Sequence, residues 1–234
     1  YSSGNRNADS KAGMSDEMFT FVANTSAALV TYGILALAAK ASKYRSIDKC
    51  NKKLDSQYEH RTYNTFNDVP KLKTKKSAAE NMKEVNPDFP NLGTTMNCMY
   101  CTTAMALREK GYDVKANTSP DGLWQENCNR VWDSAGQFKK LKAKNGKALV
   151  DTLSSEGDGA YGNLTINWRT GGAHSVFWKN EGGKTHIYDG QSGTEYDVSN
   201  PDYSPLFNKI YTNQSQYARL DNAKPNDLIL GMIK

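Results

Sequence analysis

From Leu164 to Val198 apolar and polar residues alternate in short runs joined by glycine-rich links, and few folds accept that pattern. Leu164, Ile166 and Trp168 alternate, and Arg169-Thr170-Gly171-Gly172 follows. His174, Val176 and Trp178 form the next run, with Ser175 and Phe177 on the opposite face, before Asn180-Glu181-Gly182-Gly183. Thr185, Ile187 and Asp189 make a third, and beyond Gly190-Gln191-Ser192-Gly193 a fourth extends from Thr194 to Val198. A period of two is that of a strand, and links this short can join only antiparallel neighbours. The pattern predicts an antiparallel meander.

Ahead of it, Cys98 to Lys110 is rich in helix formers, with Asn97 suited to the N-cap and Gly111 to the position just past the C-terminus. Tyr112–Ala116 is predicted as a short strand, Lys147–Ser155 as a helix with Leu149, Val150 and Leu153 inward, and Leu206–Ile210 as a late helix. Tyr217–Leu220 and Leu228–Ile233 are expected to be strands. Helices and an antiparallel sheet in one chain give an α+β fold class.

The N-terminal third has a different composition. Residues 1–16 are small and polar and read as a disordered arm. Residues 17–43 are expected to form an apolar helix, because Met18 to Ala39 runs 22 residues without a charge. At that length a helix measures roughly 33 Å, enough for a hydrocarbon core of about 30 Å, so membrane contact through 18–39 is one expectation. Asn24, Thr25, Ser26 and Thr31 favour packing against protein instead. Residues 44–84 read as a basic linker: Lys40 to Lys83 holds twelve Lys and Arg against five Asp and Glu, more than the whole excess of a chain with net charge +5. Lys71-Leu72-Lys73-Thr74-Lys75-Lys76 would attract nucleic acid only non-specifically, since few aromatic residues stand among the charges to stack on bases. Four cysteines are too few for a disulfide scaffold in 234 residues, so reduced thiols are expected.

Cys98 falls on the first turn of the predicted helix, where unpaired N–H groups and the helix dipole favour a thiolate. A cysteine nucleophile needs a base, and the base needs an orienting group. His60 lies in the basic segment and His186 among charges and turns, whereas His174 starts a strand. Asp189 ends the next strand, fifteen residues on. Across a hairpin of Ala173–Trp178 and Lys184–Asp189 the two come near-opposite, which suits a carboxylate that fixes an imidazole tautomer. Each part has a plainer reading. A strand-end histidine is commonly structural, Asp before Gly commonly a turn residue, and Cys98 with Cys101 could be a redox pair or half of a zinc site completed by His174 and Cys128.

Asn97-Cys98-Met99-Tyr100-Cys101, Arg108, Gly111-Tyr112-Asp113-Val114-Lys115-Ala116, Gly172-Ala173-His174-Ser175-Val176 and Tyr188-Asp189-Gly190-Gln191-Ser192-Gly193 together resemble the motif blocks of papain-fold toxin-type domains. Such domains occur at the C-termini of bacterial polymorphic toxins and in phage head-associated proteins, and the apolar helix and basic segment ahead of Val85-Asn86-Pro87 are similar to the phage-encoded version. The resemblance spans roughly Val85 to Val198 and makes 85–234 a papain-like domain. It implies a nucleophile helix packed on a β-meander and a Cys98-His174-Asp189 site for deamidase or peptidase chemistry on a carboxamide or peptide, supported by Asn97 and Gln191 at the oxyanion. No cofactor and no metal are implied. Papain's own C-x-x-C-W spacing keeps Cys101 as the alternative nucleophile, while the first-turn position favours Cys98. Expected partners are a protein substrate or virion proteins, and the expected place is a virion or, after delivery, the host cytoplasm. The competing reading is a non-catalytic phage structural protein that keeps the fold.

Overall fold

The structure, a computed structural model, describes residues 48, 51–119, 129–133 and 138–234. The predicted arm 1–16, the apolar helix 17–43 with its possible membrane contact, Cys50 and Cys128 lie outside the described residues. Among the described residues no helix is long and apolar enough to cross a membrane.

The alternating runs form the centre of a six-stranded antiparallel sheet: β1 (Lys139–Lys140), β2 (Tyr161–Asn167), β3 (Ala173–Glu181), β4 (Lys184–Asp189), β5 (Thr194–Tyr196) and β6 (Gln216–Arg219). The spatial order is β1-β6-β2-β3-β4-β5. Alternation divides the side chains between two cores. Phe177 and Tyr188 join one; Val176, Trp178 and Ile187 join the other with Leu164 and Ile166. Helices cover both faces, so the central strands are buried along nearly their whole length.

Among the described residues the α-helices are α1 (51–59), α2 (Ala78–Glu84), α3 (Cys98–Glu109), α4 (Gly146–Ser154) and α5 (Pro205–Lys209). The first core is built on α3, and Leu149 and Leu153 of α4 with Leu206 and Phe207 of α5 line the second. The C-terminus of α3 closes as its sequence predicts. Gly111 takes φ +89°, its N–H bonds the Arg108 carbonyl and that of Tyr112 the Leu107 carbonyl, a Schellman motif that a side chain at Gly111 would strain.

Three expectations need correction. The segment 44–84 is not a solvated linker where it is described. Leu54, Val69, Ala78 and Met82 are buried in the α3 core, and Lys71 places its ammonium 3.1 Å from the Tyr112 ring centroid. A few well-separated apolar residues sufficed to dock it. Tyr112–Ala116 makes only single bridges, Tyr112 to Lys71 and Ala116 to Ile233, because its N–H groups go to Pro70, Lys234 and Val85 in turn. Leu228–Ile233 is mostly a 3-10 helix, Asp227–Met232, started by the Asn226 side chain accepting from the Leu228 N–H. A continuous apolar run buried all round carries no period by which to tell the two apart.

Arg108, buried on α3, joins the surrounding pieces. It donates to Asn81 Oδ1 (2.9 Å), Asp113 Oδ1 (2.8 Å) and the Val114 carbonyl (3.1 Å), and also pairs with Glu84. The rigid guanidinium fork serves four acceptors that an ammonium cannot reach together. Arg108→Lys should destabilise the protein by about 1–3 kcal/mol, read as a lower denaturant midpoint at unchanged slope.

Candidate active site

The first turn of α3 sets the geometry. The Tyr100 and Cys101 N–H groups already bond the Asn97 carbonyl, at 2.9 and 3.0 Å. The N–H groups of Cys98 and Met99 precede that ladder and have no intrahelical partner. Asn97 occupies the N-cap position, but its side chain does not cap the helix. Its amide donates to Asn86 Oδ1 (3.1 Å) and the Asn117 carbonyl (3.0 Å), and its Oδ1 accepts from Gln191 Nε2 (3.2 Å). With both hydrogens engaged, Asn97 supports the turn and is not a free donor to an oxyanion. Asn86 Nδ2 binds the Gln191 carbonyl at 2.9 Å, so the chain before α3, the helix start and the loop after β4 are tied by three buried amides.

The two cysteines have different surroundings. Cys98 is partly exposed and near enough to His174 to raise its pKa. Cys101 is fully buried, donates to Asn97 Oδ1 at 3.4 Å, and has its thiol pKa pushed up by burial and then by the charges of Cys98 and Asp189.

His174 sits where β3 has left β4. The β3–β4 ladder ends at Phe177 paired with Tyr188, and residues beyond it on β3 pair only with β2. In the opening, His174 Nε2 lies 2.9 Å from Asp189 Oδ2, so Nδ1 is the ring nitrogen not engaged by the carboxylate. Trp168 stacks on the imidazole, centroids 6.0 Å apart and planes 25° from parallel.

Asp189 is held by more than the histidine. Its Oδ1 accepts from the Gln191 N–H (2.9 Å), and its Oδ2 from the Ser192 hydroxyl (2.8 Å) and the Tyr196 phenol (3.4 Å). Gly190 lets this loop reach α3: a Cβ there would lie 2.9 Å from Met105 Sδ and 3.0 Å from Val85 Cγ2.

A buried hydroxyl contact fixes α3, which carries Cys98, to β3, which carries His174. Thr102 Oγ1 donates to the Cys98 carbonyl (3.1 Å) and meets Ser175 Oγ at 2.9 Å, and Asn163 Nδ2 donates to the same Ser175 oxygen at 2.9 Å. Ser175 follows His174 in the chain, so the contact fixes the separation of the two segments.

Residues 96–194 match the family model described as papain fold toxin 1, glutamine deamidase. No curated protein matches the chain. The matched segment contains Cys98, His174 and Asp189, and its helix on an antiparallel sheet suits a papain-fold toxin domain of the glutamine deamidase kind. The other histidines lie elsewhere: His60 is in an exposed turn, and His186 pairs with Glu195 at 3.1 Å and stacks on Tyr188. Among the described residues no group of three His, Cys, Asp or Glu side chains could hold a metal ion.

Burial alone would favour neutral imidazole. The hydrogen bonds to Asp189 and Cys98 and their charges outweigh it and push the His174 pKa up to about 10. Burial likewise opposes an ionised Asp189, but the hydrogen bond and charge of His174, helped by Ser192 and the Gln191 N–H, hold it below the usual carboxylate range. Asn86, Thr102, Ser175, Asn163, Ser192, Tyr196 and Trp168 were not legible as site residues. Only Ser192 carried a signal, in the Asp-Gly-Gln-Ser-Gly turn.

Because the folded His174 pKa exceeds the ordinary 6.5, its stabilisation is full below that value and is lost as pH rises through about 10. Asp189 acts oppositely: its contribution is present above 3.8 and is lost as pH falls through its depressed value. Asp189→Asn should therefore lower the His174 titration midpoint observed by imidazole NMR and shrink the loss of stability between pH 7 and 10.

Proposed function

We propose that the protein is a cysteine hydrolase of the deamidase type, acting on a glutamine carboxamide in a polypeptide and delivered to a host cell as an effector or carried in a virion. The observation that supports it is the His174 imidazole held through Nε2 by Asp189 at 2.9 Å, with Cys98 near enough to act on its charge. The proposed roles are Cys98 as nucleophile, His174 as base and then acid, and Asp189 as the group that holds the ring and stabilises imidazolium.

Cys98 gives its proton to His174, and the thiolate adds to the carboxamide carbon. The carbonyl electrons move onto oxygen, in reach of the unpaired N–H groups at the start of α3 and, as proposed, of Gln191. Collapse of the adduct breaks the C–N bond, with the imidazolium proton going to nitrogen, so ammonia leaves and a thioester remains. Water, deprotonated by His174, adds to the thioester; the C–S bond breaks, the thiolate recovers that proton, and the carboxylic acid so formed loses its own proton to the solvent, where the ammonia takes one up. With an amine in place of ammonia as leaving group the same steps describe a peptidase.

Ammonia release from glutamine-containing peptides, with the matching mass change, tests the reading. Cys98→Ala should lose activity by about a thousandfold or more. Cys101→Ala should keep it within a few-fold, provided that its thermal midpoint shows a folded protein. Activity surviving Cys98→Ala, or a wild-type protein that releases neither ammonia nor a cleaved peptide and whose Cys98 reacts with iodoacetamide no faster than an unfolded thiol, would overturn it.

A further inference from the structure

We infer that Asn163 is a positioning residue for the proposed reaction: its two amide hydrogens hold Met99 and Ser175, the residues that follow Cys98 and His174 in the chain, and so set how thiol stands to imidazole. This rests on the hydrolase reading above, which gives the two their roles. Asn163 Nδ2 donates to Ser175 Oγ at 2.9 Å and to Met99 Sδ at 3.3 Å. One amide thus reaches β3 and the first turn of α3 at once. That turn needs holding, because the N–H groups of Cys98 and Met99 have no intrahelical partner. The amide also stands where it is costly. Asn163 is 3% exposed, in a strand paired on both sides, opposite Phe177 of β3 and Ala218 of β6. Asparagine is depleted from strands, and a buried amide must replace every hydrogen bond it made to water. An apolar residue there would avoid that cost and hold neither neighbour.

The amide is itself fixed. Thr165, two residues along the same face of β2, donates to Asn163 Oδ1 at 3.3 Å, which turns Nδ2 toward Ser175 and Met99. The Asn163 carbonyl accepts from Trp178 Nε1 at 3.2 Å, so its backbone is tied to β3 as well. Beyond Ser175 the hydrogen bonds run in one direction. The Thr102 hydroxyl donates to the Cys98 carbonyl (3.1 Å), so at the 2.9 Å contact it is Ser175 that donates to Thr102, having accepted from Asn163. One branch from Asn163 therefore ends on the Cys98 carbonyl and the other on the sulfur of the next residue. The Cys98–Met99 peptide is held from both sides by one amide. Met99, Thr102, Ser175 and Thr165 are all buried, where no water can stand in for a lost partner.

The test compares wild type with Asn163→Ala, which removes both donors, and with the milder Met99→Leu and Ser175→Ala, each of which removes one acceptor. Three readings follow position: the rate at which iodoacetamide labels Cys98 at pH 7, located by mass spectrometry; the His174 titration by imidazole NMR; and kcat and KM on a glutamine peptide. Asn163→Ala should slow the labelling and cut kcat by roughly tenfold or more, with KM within a few-fold, since a displacement of about 1 Å at a reacting pair costs up to about a hundredfold. The His174 midpoint should fall, because the part of its rise due to Cys98 goes while the part due to Asp189 stays. Met99→Leu and Ser175→Ala should each give a share of these changes. Arg108→Lys, which loosens the far end of α3, should lower the denaturant midpoint and leave all three readings alone. An Asn163→Ala protein that loses stability but keeps wild-type labelling, titration and kcat would overturn the inference and leave the hydrolase reading standing. Labelling that slows equally in Arg108→Lys would overturn it too. If Asn163→Ala does not fold, the two milder variants decide: wild-type labelling and titration in both overturn it. If wild type turns over no peptide, the hydrolase reading fails, and labelling and titration alone decide whether Asn163 places Cys98 against His174.

Discussion

Ten of the twelve residues of α3 are buried, and a helix set that deep carries polar groups that must find partners inside the protein. Each end meets the need differently. At the C-terminal end Arg108 gathers Asn81, Glu84, Asp113 and Val114 around one guanidinium. Midway, Thr102 meets Ser175 and, through it, Asn163. At the N-terminal end Asn97 meets Asn86, Asn117 and Gln191. These groups stand on segments far apart in sequence, so satisfying the helix also fixes α2, β2, β3 and the loop after β4 in relation to it. Cys98, at the open end of the same helix, inherits that rigidity.

Asp189 shows how a buried carboxylate is kept charged. Four different residues present donors to its two oxygens, and His174 is one among them. The others come from its own turn and from β5, so the carboxylate does not depend on the histidine for its position. The imidazole is therefore positioned by a group already fixed. The loop can present these donors only because Gly190 lets it lie against Met105, which links helix packing to the electrostatics of the pair.

What the sequence made legible is what depends on local period and link length. The alternating runs with four-residue links fixed the meander, and with it the approach of His174 to Asp189 across one hairpin. Gly111 marked the end of α3 because a left-handed turn residue there has one dominant cause. Long-range partners left no trace. Nothing near Asn86 in the chain says that its amide will meet Gln191, more than a hundred residues on. Asn97 shows the limit of local reasoning: it has the side chain of a helix cap and stands at the cap position, yet tertiary partners took its amide. The basic composition of 44–84 likewise concealed Leu54, Val69 and Met82, because charge counts say nothing about where a few apolar residues will dock.

The parting of β3 from β4 after the Phe177–Tyr188 pair has a consequence for the register of the hairpin. Side chains alternate along a strand, so a slip of one residue in this hairpin would turn His174 and Asp189 to opposite faces of the sheet. It would also send Trp178 and Ile187 toward the wrong core. A chain caught in that register would have its imidazole and its carboxylate on different faces, so the His174–Asp189 pair and the two cores depend on the same ladder.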